Sequence, residues 1–380
     1  MTSLPKASLP QTSLPQTSPL KILLVSTCVG PLGSGKGGGV ELTLANVALA
    51  LQLRGHQVGA IAPAGSICPG LALTPVPGQL QSTAQNQGRQ AGIEMPAHSA
   101  LAQAWEAARN CQGNYDIILN FAYDWLPFYL TPFFSIPVVH LVSMGSLSEA
   151  MDHILGQTLA SFPHSLACHS RIQAETFTAV PGFAAQCTVL GNGFDLSRYQ
   201  FQPQPQPWLG WVGRIAPEKG LEDAVAAAVQ ARMPLKVWGA MEYPDYWTEI
   251  QQRFTGADNG SEALTYGGFL STDDLQQQLG YCQGLIMTPK WVEAFGNVAI
   301  EALACGVPVV AYARGGPVEI VRDGETGFLV EPDSVAGLVA AIAQLPRLDR
   351  SACRQQAEAD YSLAAMGART EAWLRRNLTV

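Results

Sequence analysis

The sequence has few charged residues and little basic character. Asp, Glu, Lys and Arg make up 14% of its 380 residues, and the net charge is −8. Proteins that bind nucleic acid usually present a basic surface, so this balance argues against DNA or RNA as the main partner. No apolar run reaches the roughly 18 residues that a membrane-spanning helix needs. We therefore expect neither a nucleic-acid partner nor a membrane span.

Cysteine motifs and a secretory signal are missing as well. The eight cysteines include no C-x-x-C pair, and their spacing fits no zinc pattern, so we expect scattered reduced thiols and no metal site. Residues 1–20 repeat a Ser-Leu-Pro phrase and contain no apolar segment of the kind that a signal peptide has. We predict a disordered tail over 1–20 and a cytoplasmic protein.

Alternating strand-like and helix-like segments fill the rest of the chain, of which 47% is hydrophobic. A buried strand at 21–26, a glycine-rich loop, a helix at 41–54 and a strand at 56–62 form a βαβ opening. The pattern restarts at Trp208, after the proline-rich stretch 201–207. The predicted fold is α/β, with two tandem Rossmann-like, doubly wound domains that face a cleft.

The domain boundaries follow from the same pattern. We predict a first domain over 21–195 and a second domain over 196–360. The last segment, 361–380, is predicted to be a helix that packs back on the first domain. A cleft between two such domains is the default place for a ligand.

The glycine-rich loop nearly fits two phosphate-binding motifs. Gly33, Gly35 and Gly38 satisfy G-x-G-x-x-G, but the region 60–65 has no acidic residue to bind a dinucleotide ribose. Gly37 stands where a P-loop needs Ser or Thr for magnesium. What remains is a glycine-rich turn that leads into a helix N-terminus, where backbone N–H groups can approach a phosphate.

Two pairs of charged residues in the second half are candidates for a ligand site. Glu293 and Glu301 are separated by seven residues in an apolar setting, where unpartnered carboxylates are costly. A capping Glu plus a surface Glu would fit that spacing equally well. Arg214 and Lys219 follow the first strand of the second domain, where they could hold two phosphates of one ligand. A solvated basic pair is the alternative.

Four further segments form a recognisable combination of motifs: VLGNGFDLSRY (189–199), VGRIAPEKG (212–220), EAFGNVAIEALACGVPVV (293–310) and GGPVEIVRDGETGFLVEPD (315–333). Together they resemble the retaining glycosyltransferases of family four, which have the two-domain GT-B fold. Phe194 replaces the usual Val of the Asn-Gly phrase, and the Thr-Pro-Lys at 288–290 replaces a common Pro-Ser, but neither change alters the charged pairs.

The resemblance implies a hexosyltransferase that needs no metal and no cofactor besides a nucleotide sugar as co-substrate. Arg214 and Lys219 would hold the donor diphosphate, Glu301 would accept hydrogen bonds from the ribose, and Glu293 would hold the donor sugar. His140 would face the reacting sugar. Asn192 is interpreted as a hinge residue, and the further donor-binding residues would be Gly38, Gly39, Phe269, Phe295, Gly296 and Asn297.

The acceptor is expected against the first domain. Segments 29–44 and 140–153 are similar to the tetrahydropterin glucosyltransferases of this family, which implies UDP-glucose as donor and tetrahydrobiopterin as acceptor. The aromatic segment 121–134 is either a stacking wall for the acceptor or a packed loop. The candidate acceptor residues are Asp124, Trp125, Glu149 and Asp152.

Other functions remain open at this point. The same family includes enzymes with lipid, sugar or polysaccharide acceptors. A sugar-nucleotide epimerase would share the fold, but the sequence offers no convincing set of catalytic acids for it. A binding protein without activity is a third alternative, which the presence of all four charged residues in the second half disfavours.

Overall fold

The computed structural model describes residues 18–35, 38–84, 88–254 and 264–378. These residues form one parallel sheet of seven strands and one parallel sheet of six. Helices cover both sheets, so the prediction of an α/β fold with two Rossmann-like domains is confirmed. Most of the predicted tail, residues 1–17, lies outside the described residues.

The first sheet has the order β3-β2-β1-β4-β5-β6-β7, and every neighbouring pair is parallel. Its central strands are apolar and buried on both faces, as a parallel sheet between helices requires. Its strands are β1 (Lys21–Val25), β2 (Gln57–Pro63), β3 (Ala72–Val76), β4 (Ile117–Asn120), β5 (Val138–Val142), β6 (Leu166–Cys168) and β7 (Thr188–Val189). Its helices are α1 (Gly39–Leu53), α2 (Ala100–Cys111), α3 (Trp125–Leu130), α4 (Glu149–Ser161), α5 (Arg171–Glu175) and α6 (Phe183–Gln186).

The second sheet repeats this plan in the order β10-β9-β8-β11-β12-β13. Its strands are β8 (Leu209–Val212), β9 (Leu235–Trp238), β10 (Leu264–Tyr266), β11 (Gly284–Met287), β12 (Val309–Tyr312) and β13 (Gly327–Val330). The helices that follow are α7 (Leu221–Ala231), α8 (Pro244–Phe254), α9 (Thr272–Gly280), α10 (Asn297–Ala304), α11 (Pro317–Ile320), α12 (Val335–Ile342), α13 (Arg350–Asp360) and α14 (Leu363–Leu378).

Each sheet has one topological switch point. In the first sheet, β1 pairs with β2 on one side and β4 on the other. In the second sheet, β8 pairs with β9 and β11 in the same way. Ligands of open α/β sheets bind in the crevice at the carboxyl ends of such strands. The loops after β1, β4, β8 and β11 are therefore the places to look for function.

The chain crosses between the two domains twice, and the two crossings touch. The backbone N–H of Phe194, in the first crossing, donates to the carbonyl of Tyr361, in the second, at 2.8 Å. After the second crossing α14 packs against α1, and Trp373 and Leu374 enter the core of the first domain. The Trp373 indole also donates to the His164 carbonyl at 2.7 Å.

Sequence patterns did not predict β3. Its burial is irregular, and it contains Pro75, which cannot donate a backbone hydrogen bond and is tolerated because β3 is an edge strand. Each of the eight cysteines is a free thiol in this structure. Within the described ranges, no helix is both long enough and apolar enough to cross a membrane.

Candidate active site

A cleft of about 860 Å³ lies between the two domains, at the carboxyl ends of both sheets. The first domain contributes the loops after β1 and β4, and the second contributes the loops after β8 and β11 together with the start of α10. Both topological switch points therefore open into one space. Of the predicted donor-binding residues, the following line it: Gly38, Gly39, Arg214, Lys219, Phe269, Glu293, Phe295, Gly296 and Asn297.

Lys219 and Glu293 form an ion pair inside the cleft. The Lys219 ammonium donates to the Glu293 carboxylate at 2.5 Å, and both side chains are about four-fifths buried, at 20% and 18% exposure. The same ammonium lies 5.0 Å from the centre of the Trp291 ring, whose indole N–H also donates to Glu293 at 3.1 Å. The cation predicted to hold a phosphate is thus fixed in position by the carboxylate predicted to hold the sugar.

Arg214 is held in a similar way. Its guanidinium donates to Glu218 at 2.8 Å and to Glu242, which also lines the cleft. Arg214 follows β8 and Lys219 ends the short 3₁₀ turn that leads into α7, so both cations stand at one strand-to-helix turn. Their side chains are positioned before any ligand arrives, which lowers the entropy cost of binding an anion.

The N-terminus of α10 lies at the cleft and is a third source of positive potential there, after Lys219 and Arg214. Gly296 precedes the helix with φ 105°, a conformation that side chains rarely adopt, and a Cβ there would contact Met287 and Pro317 at 3.4 Å. The helix starts at Asn297, and because Gly296 is the N-cap residue, no N-cap side chain caps the first turn. Unpaired backbone N–H groups and the helix dipole favour an anion at such an end.

The glycine-rich loop faces this helix from the first domain. A Cβ added at Gly39 would lie 2.9 Å from the Asn297 amide nitrogen, so the two domains approach each other closely there. Asn192 adds a hydrogen bond of 2.6 Å to the Asn297 side chain and itself lines the cleft. Phe269, with 70% of its surface exposed, would lie 3.7 Å from a Cβ at Gly35. Residues 36–37 of the predicted motifs lie outside the described residues.

One amide of the glycine-rich loop already binds a carboxylate. The backbone N–H of Gly35 donates to Glu41 in the first turn of α1 at 3.1 Å, and the Ser34 hydroxyl donates to the same carboxylate at 3.3 Å. The loop therefore presents an anion-binding backbone, as its glycines predict, although part of that capacity is used within the domain.

Glu301 lies deeper than its predicted role suggests. Its carboxylate is 8% exposed, accepts a hydrogen bond from the Tyr199 hydroxyl at 3.0 Å, and is outside the cleft lining. Burial raises its pKa to about 7, although the hydrogen bond from Tyr199 and the charge of Arg198 act in the opposite direction. In this structure the two glutamates of the pair therefore differ: Glu293 reaches the cleft and Glu301 packs behind it.

The expectation that His140 faces the reacting sugar does not agree with the structure. His140 lies in the middle of β5 with no exposed surface, stacked on Phe128 with ring centres 4.3 Å apart. Asn120 and Thr131 contact its two ring nitrogens at 3.1 and 2.9 Å. Burial lowers the pKa of the ring to about 3, so it is a neutral core residue.

Of the four predicted acceptor residues, only Asp124 lines the cleft. Burial raises the pKa of Asp124, and Gln81 donates to its carboxylate at 2.9 Å. Trp125 stacks on Tyr129 outside the cleft lining, and Glu149 is exposed. Asp152 is buried, paired with Arg89 at 2.7 Å and outside the cleft lining.

Gln81 and His169 are among the cleft residues that the sequence analysis did not predict. His169 directly follows β6, is buried, and lies with its ring centre 5.9 Å from that of Phe295. Burial lowers its pKa to about 4, so the ring is neutral at physiological pH. Its position directly after the apolar residues of β6 is a signal that could have identified it. Gln81 lies in an irregular connection and gave no such signal.

The comparison with protein families bears on the second domain. Residues 196–361 match the family described as glycosyl transferases group 1. This stretch is similar to a group 1 glycosyltransferase domain. For this domain the predicted enzyme class is confirmed, and the family match begins and ends close to the predicted boundaries.

The curated relatives of this chain include enzymes with different names. A glycogen synthase of Mycobacterium tuberculosis is 29% identical over 259 residues, which are 62% of this chain and 61% of the relative. The chain thus spans about three-fifths of that relative's length. A D-inositol 3-phosphate glycosyltransferase of Acidothermus cellulolyticus is 25% identical over 86% of this chain and 83% of its own.

A solved structure shares the arrangement of both domains. Anabaena Alr3699/HepE, crystallised in complex with UDP and glucose, superimposes with a TM-score of 0.74 over 94% of this chain and 99% of its own, at 21% identity. At this identity the likeness shows the fold, which is GT-B.

Proposed function

We propose that the protein is a glycosyltransferase that transfers a hexose from a nucleoside diphosphate sugar to a hydroxyl group of a small acceptor. The observation that carries the proposal is the convergence of Arg214, Lys219 and the α10 N-terminus on one cleft. These groups supply two fixed cations and a helix dipole. That is what the departing nucleoside diphosphate requires, since cleavage of the sugar leaves negative charge on it.

The proposed donor is UDP-glucose. Its diphosphate would lie between the two cations and the α10 N-terminus, and its sugar would lie beside Glu293. Glu293 accepts from Lys219 in this structure, so the carboxylate and the ammonium would each gain a further partner from the ligand. Anabaena Alr3699/HepE, which has the same fold, was crystallised with UDP and glucose, and this supports the choice.

The proposed reaction retains the configuration of the sugar. The bond from the anomeric carbon to the diphosphate oxygen breaks, the acceptor oxygen bonds to the same face of that carbon, and the acceptor proton passes to the departing diphosphate. His140 is buried with both ring nitrogens engaged, so it is not assigned the role of base. In this proposal Arg214 and Lys219, and no metal ion, stabilise the negative charge of the leaving group.

The proposed acceptor is tetrahydrobiopterin, on the sequence similarity of segments 29–44 and 140–153. A sugar or cyclitol acceptor is the second candidate, and the names of the glycogen synthase and inositol phosphate glycosyltransferase relatives favour it. Both fit the same donor half of the cleft, so the donor geometry does not decide between them.

Mass spectrometry of reaction mixtures tests the proposal directly. The full chain is incubated with UDP-glucose and one acceptor in each of three reactions. The acceptors are tetrahydrobiopterin, under anaerobic conditions, inositol phosphate and a maltooligosaccharide. A mass increase of one hexose on tetrahydrobiopterin supports the narrow proposal. Transfer only to a sugar or to inositol phosphate refutes the pterin acceptor and keeps the glycosyltransferase. Conversion of UDP-glucose to another UDP-hexose without transfer would instead indicate an epimerase.

A further inference from the structure

The first-domain half of the cleft contains two polar side chains, Gln81 and Asp124, that have no role in the proposed donor site. Cys28 follows β1 by three residues and Asp124 follows β4 by four, so both stand at the topological switch point of the first sheet. Gln81 reaches them from the connection between β3 and α2, where its backbone N–H donates to the Cys28 carbonyl at 2.9 Å. All three line the cleft. This is the crevice where an open α/β sheet binds a ligand.

The orientation of the Gln81 amide follows from its partner. Its Nε2 donates to the Asp124 carboxylate at 2.9 Å, and a carboxylate only accepts, so Oε1 must face another direction. This oxygen is buried and, within the described part of the chain, accepts no hydrogen bond. Buried carbonyl oxygens are nearly always paired, so an unpaired one beside a cleft indicates a ligand that donates to it.

The surroundings restrict what that ligand can be. Cys28, Leu101 and Ala122 belong to one buried hydrophobic cluster and line the cleft beside the pair. These three side chains offer no strong hydrogen-bond donor, whereas Ser82, Thr83 and Tyr123 of the same cleft lining carry hydroxyl groups. A sugar hydroxyl donates and also needs donors for its own oxygen, whereas the edge of a nitrogen heterocycle with a ring N–H and an amino group only donates. The two acceptor groups, Gln81 Oε1 and the Asp124 carboxylate, match that donor edge better than they match a single hydroxyl.

We propose that Gln81 Oε1 and the Asp124 carboxylate bind the donor edge of a planar nitrogen heterocycle, a ring N–H and the adjacent amino group, and so determine the acceptor class. This inference rests on the proposed glycosyltransferase function and deepens it. A hydroxyl carried elsewhere on the heterocycle would be the group that receives the hexose. Asp124 and Gln81 would act on specificity and would leave the donor half of the cleft unaffected.

Calorimetric titration of the full chain tests the inference with two probes. Pterin, the bare amino-oxo heterocycle, is titrated into protein saturated with UDP, and UDP is titrated alone. The variants are Asp124→Asn, which removes the charge, and Gln81→Met, which keeps the length of the side chain and removes the amide. Glu106→Gln, an exposed position on α2, is the matched control.

We expect Asp124→Asn and Gln81→Met each to weaken pterin binding by roughly ten-fold or more, since each removes a buried hydrogen-bond partner. UDP affinity should stay within two-fold in both, and Glu106→Gln should match the wild type for both probes. Wild-type pterin affinity in Asp124→Asn or Gln81→Met would overturn the inference. So would displacement of pterin by an equal concentration of myo-inositol, or a lack of pterin binding to wild-type protein that binds UDP. A wild type that fails to bind UDP would count against the proposed function itself.

Discussion

Glu301 gives the protein a stability that depends on pH near neutrality. Its carboxyl group is buried against Tyr199, and its pKa rises from the ordinary 4.5 to about 7 because burial disfavours the charged form. The unfolded chain releases this proton near pH 4.5, whereas the folded chain keeps it up to about pH 7. The contribution to stability is therefore complete below pH 4.5 and is lost as the pH rises through 7.

The size of this loss follows from the two pKa values. A rise from 4.5 to about 7 corresponds to about 3 kcal/mol, at about 1.4 kcal/mol per pKa unit. Glu301→Gln keeps an oxygen for the Tyr199 hydroxyl and has no group that titrates in this range. We expect the variant to be more stable than the wild type by up to about 3 kcal/mol at pH 8, relative to their difference at pH 4.5.

Urea unfolding of both proteins between pH 4.5 and pH 8 measures this difference. Glu106→Gln makes the same exchange of Glu for Gln at an exposed position and serves as the control. A difference between Glu301→Gln and wild type that is the same at pH 4.5 and pH 8 would refute the reasoning. It would mean that the folded protein ionises Glu301 as easily as the unfolded chain does.

The same group links protonation to the proposed donor. If ribose hydroxyls donate to Glu301, they stabilise its carboxylate, so UDP binding near pH 7 should release protons. Calorimetry in buffers of different ionisation enthalpy would detect this release in the wild type and its absence in Glu301→Gln. Binding enthalpies that do not depend on the buffer would remove Glu301 from the ribose site.

Three further predictions concern other parts of the site. Arg214→Ala and Lys219→Ala should each lower turnover of UDP-glucose by about 10²-fold or more, because each removes a fixed charge at the leaving group; near-normal single-turnover rates would contradict this. Gly39→Val should weaken UDP binding in calorimetry, since even a Cβ at position 39 would lie 2.9 Å from the Asn297 amide and keep the domains apart; wild-type affinity would show that closure tolerates the added volume. His140→Ala should lower the free energy of unfolding in urea by about 2 kcal/mol or more, because two buried hydrogen bonds and ring packing are lost; unchanged stability with lost turnover would restore a role in the reaction.

Sequence patterns predicted the parts of the site that lie at strand ends and helix starts. The common location of Arg214 and Lys219 follows from the strand and helix pattern, because the carboxyl ends of parallel strands meet at one edge. Gly296 and Asn297 were predicted from the family resemblance. The same patterns do not predict how deeply a side chain is buried. Nothing local distinguishes Glu293, which reaches the cleft, from Glu301, which packs against Tyr199 across 102 positions of sequence.

The misplacement of His140 and the omission of Gln81 have the same physical origin. His140 is enclosed by Asn120 and Thr131, which reach it only because β4, β5 and the turn after α3 pack together. Gln81 is held against Cys28 and Asp124 by contacts that join three separate segments. Partners brought together by tertiary packing leave no spacing in the sequence to read.

The return of the chain to the first domain has a mechanical consequence. Two crossing segments, joined by the hydrogen bond from Phe194 to the Tyr361 carbonyl, connect the domains at one place. Because both chain connections lie together, we expect the cleft to open about this place. The core of the first domain is also complete only once Trp373 and Leu374 have docked. A protein cut between its two domains would therefore leave the first half with an open hydrophobic surface.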